Sequence, residues 1–180
     1  MKTYISLLRG INVSGQKIIK MELLRKMFED FGFGNVRTYI QSGNVVFSSN
    51  EKDISKLEKI IRKEIEKAFG FDVHIKILIP EELKLALDGN PFLKDNSLDI
   101  KQHYFTFLDK NPADENWEIL KNIQLNGEKM ELNEKVLFVY YPSGAGTTKL
   151  TNNLIESKLK VNSTMRNLNT IKKLLEMASG

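Results

Sequence analysis

The sequence predicts an α+β fold of two lobes. Segments with strand and helix periodicity follow one another in the order β-α-β-β-α-β over residues 1–80, and a β-α-β-β order with two further helices follows in residues 81–180. The first order is that of a ferredoxin-like lobe, in which two helices cover one face of a four-stranded antiparallel sheet. The composition, 41% hydrophobic and 28% charged, is that of a globular protein.

The elements of the first lobe are predicted from periodicity and from residues that end or begin them. Alternation predicts a strand at residues 3–8, and a helix follows whose apolar stripe is Met21, Leu24, Met27, Phe28 and Phe31. Strands at 35–40 and 44–49 are separated by a Gln-Ser-Gly turn typical of a hairpin. Asp53 caps a second helix that Gly70 closes, and Pro80 ends a strand at 73–79.

The second lobe is predicted to begin with a bridging helix at 81–87. A strand at 102–108, a helix opened by Asn111 and Pro112, and a hairpin of strands 128–132 and 135–141 follow. Two helices, at 147–159 and 168–178, complete the chain. We therefore expect a related β-α-β-β unit, without residue-level similarity to the first, and domains at 1–80 and 81–180.

Several long segments occur together in one order: YISLLRGINVSGQ, MELLRKMFEDFGFGNVRTYIQSGNVVF, NPF at residues 90–92, and TMRNLNTIKKLLEMA. With these segments the chain closely resembles, over its full length, the DUF1697 family of domains of unknown function. Ser14 is a small departure, since the family pattern has a glycine there. The resemblance implies an intracellular, chiefly bacterial α+β protein of two ferredoxin-like lobes, with no established activity and no catalytic residues to carry over.

The composition excludes several classes of site. The chain has no cysteine, so disulfides, thiolate nucleophiles and sulfur-ligated metals are excluded, and a reducing cytoplasm is the expected location. No signal peptide and no apolar stretch of about 20 residues is present, so no membrane association is expected. His74 and His103 are far apart and lack metal-ligand spacing, and Ser42 is not in a nucleophile-elbow pattern. We predict no metal and no cofactor, and the sequence leaves open whether the protein is an enzyme.

The charge distribution points to an anionic ligand or to an ordinary solvated surface. Residues 1–50 contain seven Lys and Arg against three Asp and Glu, and residues 145–180 contain six against two, whereas the middle is acidic. The loop after the first strand offers Arg9, Gly10, Asn12 and Gly15, whose backbone could approach an oxyanion. The alternative is that the glycines form turns and Asn12 bonds its own loop.

The turn of the first hairpin is the second part of this candidate site. In a ferredoxin-like sheet the first and third strands are adjacent and antiparallel, so Ser42, Gly43 and Asn44 should lie near Arg9. Arg37, on the preceding strand of the hairpin, could add a second guanidinium. We therefore expect a ligand-binding cluster at one edge of the lobe, or a hydrogen-bonded loop anchor in the same place.

Two further clusters have both a functional and a structural interpretation. The loop YPSGAGTTKL at 141–150 could cradle a phosphate or could simply cap a helix. Arg166 and Asn167 precede the last helix, where Asn167 is a natural N-cap and Arg166 could join Arg9 and Arg37 in one basic pocket between the lobes.

Three functions agree with these observations. The preferred hypothesis is a cytosolic protein that binds a small anionic or nucleotide-like ligand at the lobe junction. The second is a single-stranded nucleic-acid-binding module, which follows if Ile5 and Leu7 face the helices, so that Tyr4 and Arg37 lie on the open face of the sheet. The third is a protein-interaction or assembly protein. The sequence does not indicate an oligomeric state.

Overall fold

The computed structural model describes residues 1–180, which form two compact units. The N-terminal unit contains Met1–Lys84 and Lys173–Gly180, and the second unit contains Leu85–Lys172. The domain bounds 1–80 and 81–180 remain a prediction. No helix combines the length and the apolarity needed to cross a bilayer.

The N-terminal unit has the predicted ferredoxin-like order. Its elements are β1 (Lys2–Leu8), α1 (Met21–Asp30), β2 (Gly34–Tyr39), β3 (Asn44–Ser49), α2 (Ile54–Phe69) and β4 (Ile75–Leu78). The antiparallel sheet has the strand order β2-β3-β1-β4, so β1 lies beside β3 as predicted. The Asp53 side chain accepts a hydrogen bond from the Lys56 backbone, and Gly70 ends α2 with a φ of 74°, as its position in the sequence indicates.

The face of β1 that packs on the helices is the opposite of the one predicted. Tyr4 and Leu8 belong to the core cluster that contains helix residues such as Leu24 and Leu57, whereas Ile5 and Leu7 lie on the other face and are also fully buried. Because both faces of β1 are buried, apolar alternation could not distinguish them. The nucleic-acid hypothesis therefore loses the aromatic side chain, Tyr4, on which it relied.

The second unit repeats the same topology. Its elements are α3 (Pro80–Gly89, which begins in the N-terminal unit), β5 (His103–Leu108), α4 (Asp114–Lys121), β6 (Lys129–Asn133), β7 (Val136–Tyr140), α5 (Asn152–Leu159), β8 (Ser163–Asn167) and α6 (Leu168–Ser179, which ends in the N-terminal unit). The sheet order β6-β7-β5-β8 corresponds strand for strand to that of the first sheet. The predicted β-α-β-β unit and two helices are present, and β8, which the sequence analysis lacked, completes the βαββαβ unit.

The two central strands also correspond residue by residue. Tyr-x-Ser-x-Leu at positions 4–8 is matched by Tyr-x-Thr-x-Leu at positions 104–108. Leu8 donates its backbone N–H to the Gly43 carbonyl at 2.8 Å, and Leu108 donates to the Lys135 carbonyl at the same distance. The next residues, Arg9 and Asp109, donate to carbonyls before β4 and β8 at 2.9 and 3.0 Å. Corresponding positions in the two units can therefore be compared directly.

Candidate functional site

Asn12 fixes the loop that connects β1 to α1. Its side-chain nitrogen donates to the Ile19 carbonyl at 2.9 Å and to the Gln41 carbonyl at 2.8 Å, and its side-chain oxygen accepts from the Ile19 backbone N–H at 2.8 Å. One amide thus joins the two ends of the loop to each other and to the turn between β2 and β3. This is the hydrogen-bonded anchor that the sequence analysis weighed for Asn12.

Side-chain hydrogen bonds also hold the turn between β2 and β3. Asn44 is fully buried, lies opposite Leu7, and donates from its side chain to the Tyr39 carbonyl and to the Ser42 hydroxyl, both at 2.9 Å. Gly43 has a φ of 78°, and a Cβ there would lie 2.7 Å from the Leu8 Cβ. The predicted neighbours are therefore together, because Ser42, Gly43 and Asn44 lie against the end of β1.

In the loop and the turn, several non-glycine residues have backbones in the left-handed region. Asn12, Ser14, Lys17 and Ile40 have φ angles of 54°, 50°, 46° and 49°. Asparagine tolerates this region, but for a β-branched residue such as Ile40 it is a true outlier. Strained backbone of this kind is found disproportionately at functional sites.

The loop contains two cationic residues, Arg9 and Lys17, that each bond the segment before β4. Arg9 is half-buried and its backbone N–H bonds the His74 carbonyl at 2.9 Å, whereas the Lys17 ammonium donates to the Asp72 carbonyl at 2.6 Å. That acceptor is a neutral backbone carbonyl and not a carboxylate. The Arg62 guanidinium donates to the Asp72 carboxylate, and this hydrogen bond lowers the pKa of Asp72. The positive charges of Arg62, Lys17 and His74 lower the pKa of Asp72 as well.

The loop after β1 and the turn between β2 and β3 contain no carboxylate side chain. Residues 1–21 and 31–50 contain no Asp or Glu, so the loop and the turn bring no negative side chain of their own. Asp72, whose carbonyl accepts from Lys17, is paired through its carboxylate with Arg62. The loop and the turn together therefore have a net positive charge.

The second unit shows what the fold itself requires at this position. The connection from β5 to α4 takes only residues 109–113, whereas the connection from β1 to α1 takes residues 9–20. Asp109 stands where Arg9 stands, and its carboxylate accepts from the Asn162 backbone and side chain at 3.1 and 2.8 Å. The corresponding hairpin turn is also shorter, residues 134–135 against residues 40–43. The long cationic loop and the longer turn are therefore additions to the common fold.

Three exposed aliphatic residues are sequence neighbours of Asn12 or of the backbone groups that its side chain bonds. Val13 and Ile18 are each 57% exposed and Ile40 is 49% exposed. Val13 follows Asn12, Ile18 precedes the Ile19 backbone that Asn12 bonds, and Ile40 precedes the Gln41 carbonyl that Asn12 bonds. Their backbones therefore converge on one amide. None of these three residues was predicted from the sequence as part of the site, although an isoleucine beside a hairpin turn is an available signal.

Arg37 is engaged elsewhere in the N-terminal unit. Its guanidinium donates to the Met177 carbonyl near the end of α6, where a cation also interacts favourably with the helix dipole. It lines a cleft of about 540 Å³ together with Thr3, Glu29, Asn35, Val36, Val46, Ser48, Ala178 and Gly180. Arg37 therefore has a structural role in holding the last turn of α6.

Arg166 and Asn167 belong to the second unit, on β8. Arg166 is buried and donates to the Thr164 hydroxyl at 3.1 Å and to the Met165 carbonyl at 2.8 Å. The Asn167 side chain accepts from the Thr170 backbone at 2.9 Å, which is the helix-capping bond considered for it. The site described here lies within the N-terminal unit.

The loop at 141–150 is organised around a carboxylate. Glu128 accepts from the Thr148 hydroxyl and from the Asn126 backbone, both at 2.6 Å, and these bonds lower its pKa. The helix cap is Thr151, since α5 begins at Asn152 and not at the threonines before Lys149 as predicted. A carboxylate that takes the donors of the loop disfavours the phosphate-cradle interpretation.

Metal chemistry finds no support among the titratable side chains, because no group of three or more His, Cys, Asp or Glu residues could hold a metal ion. His103 is buried against the Tyr140 ring, with 5.3 Å between the ring centroids, and its Nδ1 atom has no hydrogen-bond partner. Burial lowers the pKa of His103, which keeps the ring neutral.

Comparison with known proteins agrees with the fold and leaves the function open. The family model described as a protein of unknown function, DUF1697, matches residues 1–138. The structure of the conserved bacterial protein SP0830 from Streptococcus pneumoniae superposes with a TM-score of 0.73, at 22% identity, over 98% of each chain. A comparison with curated proteins gives no match.

Proposed function

The chain belongs to the DUF1697 family, and we propose that it is a cytosolic binding protein whose loop at residues 9–20, together with the turn at 40–43, holds a small anionic ligand. Arg9 and Lys17 supply the positive charge. Asn12 and Asn44 hold the surrounding backbone in place, and Gly10 and Gly15 allow the ligand to approach the loop closely.

The comparison between the two units carries this proposal. The same β-α-β-β-α-β arrangement is completed in the second unit with a connection at 109–113 and an internally bonded Asp109. The fold therefore does not require the longer loop, its left-handed residues or the cation at position 9. Features that cost stability and are not needed for the fold are expected where a protein binds a ligand.

Preorganisation supports a binding role further. Binding costs less when the loop is already ordered, since little conformational entropy is lost on association. The three bonds of Asn12 provide that order before any ligand arrives. An oxyanion placed near Arg9 and Lys17 would form charge-assisted hydrogen bonds, which are about twice as strong as neutral ones.

A thermal-shift screen tests the proposal. Inorganic phosphate, pyrophosphate, sugar phosphates, mononucleotides and small carboxylates would be added separately to the purified protein. A ligand present at about 100 Kd adds roughly 2.7 kcal/mol to the stability, so the Tm should rise by several degrees. If no compound of any of these classes raises the Tm, the proposal is wrong.

A further inference from the structure

We propose that the ligand of this loop and turn is a nucleotide, with its phosphate at Arg9 and Lys17 and its base against Val13, Ile18 and Ile40. This inference rests on the proposed function and names the ligand class for the same site. A simple oxyanion would use only the two cations. The three exposed aliphatic side chains indicate that the ligand also has an apolar surface.

Ile40 combines an exposed aliphatic side chain with a left-handed backbone. Its side chain is 49% exposed and its φ is 49°, so it gains little burial and strains its own backbone. The corresponding turn of the second unit places Glu134, with a φ of 51°, in the left-handed position. In that shorter turn a polar residue therefore holds the left-handed position directly after the strand, and the aliphatic side chain of Ile40 is explained by contact with something outside the chain.

The polar side chains around the aliphatic group favour a nucleobase. Gln16 lies in the loop and Gln41 lies in the turn, both are exposed, and an amide can donate to and accept from the edge of a base at once. The aliphatic side chains lie on an open surface, where a flat base can be covered on one face. An alkyl chain would need an enclosed groove to gain comparable burial.

Titration calorimetry with matched ligands tests this inference. We expect a nucleoside monophosphate to bind at least tenfold more tightly than inorganic phosphate or ribose 5-phosphate, because only the nucleotide adds the base contact. Ile40→Asn should reduce this advantage by about tenfold, and Ile18→Ser should reduce it in the same direction. Ile119→Ala, which removes an isoleucine that is 51% exposed on α4, should leave the affinity unchanged.

Stability measurements on Ile40→Asn give an independent readout. Asparagine tolerates the left-handed region, so the variant should have an equal or higher Tm while it binds the nucleotide less tightly. A lower Tm would show that Ile40 supports the fold and would overturn its assignment as a ligand contact.

The remaining outcomes separate the inference from the proposed function. Equal affinity for phosphate and nucleotide would overturn the base contact and leave anion binding intact. An octyl phosphate that binds as tightly as the nucleotide would also overturn it, in favour of an alkyl ligand. The absence of binding by every phosphate compound would contradict the nucleotide inference and the proposed phosphate site together, whereas a carboxylate that still binds would preserve anion binding alone.

Discussion

The Asn12 side chain donates to the Gln41 carbonyl at 2.8 Å and so joins the loop after β1 to the turn before β3. These segments are 29 residues apart in the sequence. The bond brings the loop that contains Arg9 and Lys17 to the turn that contains Ile40. Ligand binding by the loop and the turn requires this junction to be ordered in the free protein.

Asn12→Ala should destabilise the protein strongly, although Asn12 is partly exposed. The change removes three hydrogen bonds, each worth about 1 kcal/mol, so we expect a loss of about 2–3 kcal/mol relative to a control. Asn35→Ala is that control, because Asn35 also has a positive φ, 50°, but makes only one bond of 3.4 Å to Ser48. Urea denaturation of both variants measures the difference, and equal losses would refute the anchoring role of Asn12.

Gly43→Ala should be much more harmful than Gly15→Ala. Both glycines have left-handed backbones, with φ angles of 78° and 75°, so both variants share that cost of about 1–2 kcal/mol. A Cβ at position 43 would also meet the Leu8 Cβ at 2.7 Å and the Ile11 Cδ1 at 2.8 Å, whereas nothing lies within 4 Å at position 15. We expect a further loss of about 1–3 kcal/mol for Gly43→Ala, and thermal unfolding that gave equal Tm values would contradict the close packing.

The buried His103 should make the protein less stable in mild acid. Burial lowers its pKa in the folded state below the ordinary value of 6.5, so the unfolded chain binds the proton more readily. The stabilising contribution is complete above about pH 6.5 and is lost as the pH falls from there through the folded-state pKa. Urea midpoints measured from pH 8 to pH 5 should fall less steeply for His103→Gln than for the natural sequence. Parallel profiles would show that His103 is not responsible.

Arg37→Gln should loosen the end of α6 and leave anion binding unchanged. The variant loses the charged donor to the Met177 carbonyl and the favourable interaction with the helix C-terminus, worth about 0.3–1 kcal/mol. Hydrogen exchange at residues 173–180 should become faster while the exchange of β1 and β3 stays the same. Arg37→Lys keeps the charge and should restore part of the protection. A large loss of phosphate or nucleotide affinity would instead return Arg37 to the ligand site.

Most secondary structure could be predicted because its signals are local. The stripes of α1 and α2, the Asp53 cap and Gly70 at the end of α2 depend on spacing within a few residues. β8 was missed because Ser163–Asn167 has no aliphatic run and its Asn167 also reads as a helix cap, which it is. The predicted orientation of β1 was wrong because residues on both faces of the strand are buried.

The site was predictable only in part, for a related reason. The adjacency of β1 and β3 follows from the topology, so the neighbourhood of Arg9 and Asn44 could be inferred from the sequence order. The partners of Asn12 could not, because a bond to Gln41 depends on how a long loop closes. The engagement of Arg37 with Met177 joins residues 140 positions apart, and no local pattern indicates it.

The most direct measurement compares anion binding by the natural sequence and by Arg9→Gln. Arg25→Gln is the matched control, since Arg25 is an exposed cation of the same unit whose partner is Glu29 at 3.6 Å. Titration with the phosphate compound that gives the largest thermal shift should show a loss of about 1–3 kcal/mol in binding free energy for Arg9→Gln and none for Arg25→Gln, with the fold of both preserved. Unchanged affinity for Arg9→Gln, or an equal loss in both variants, would contradict the account that the loop after β1 is an anion-binding site.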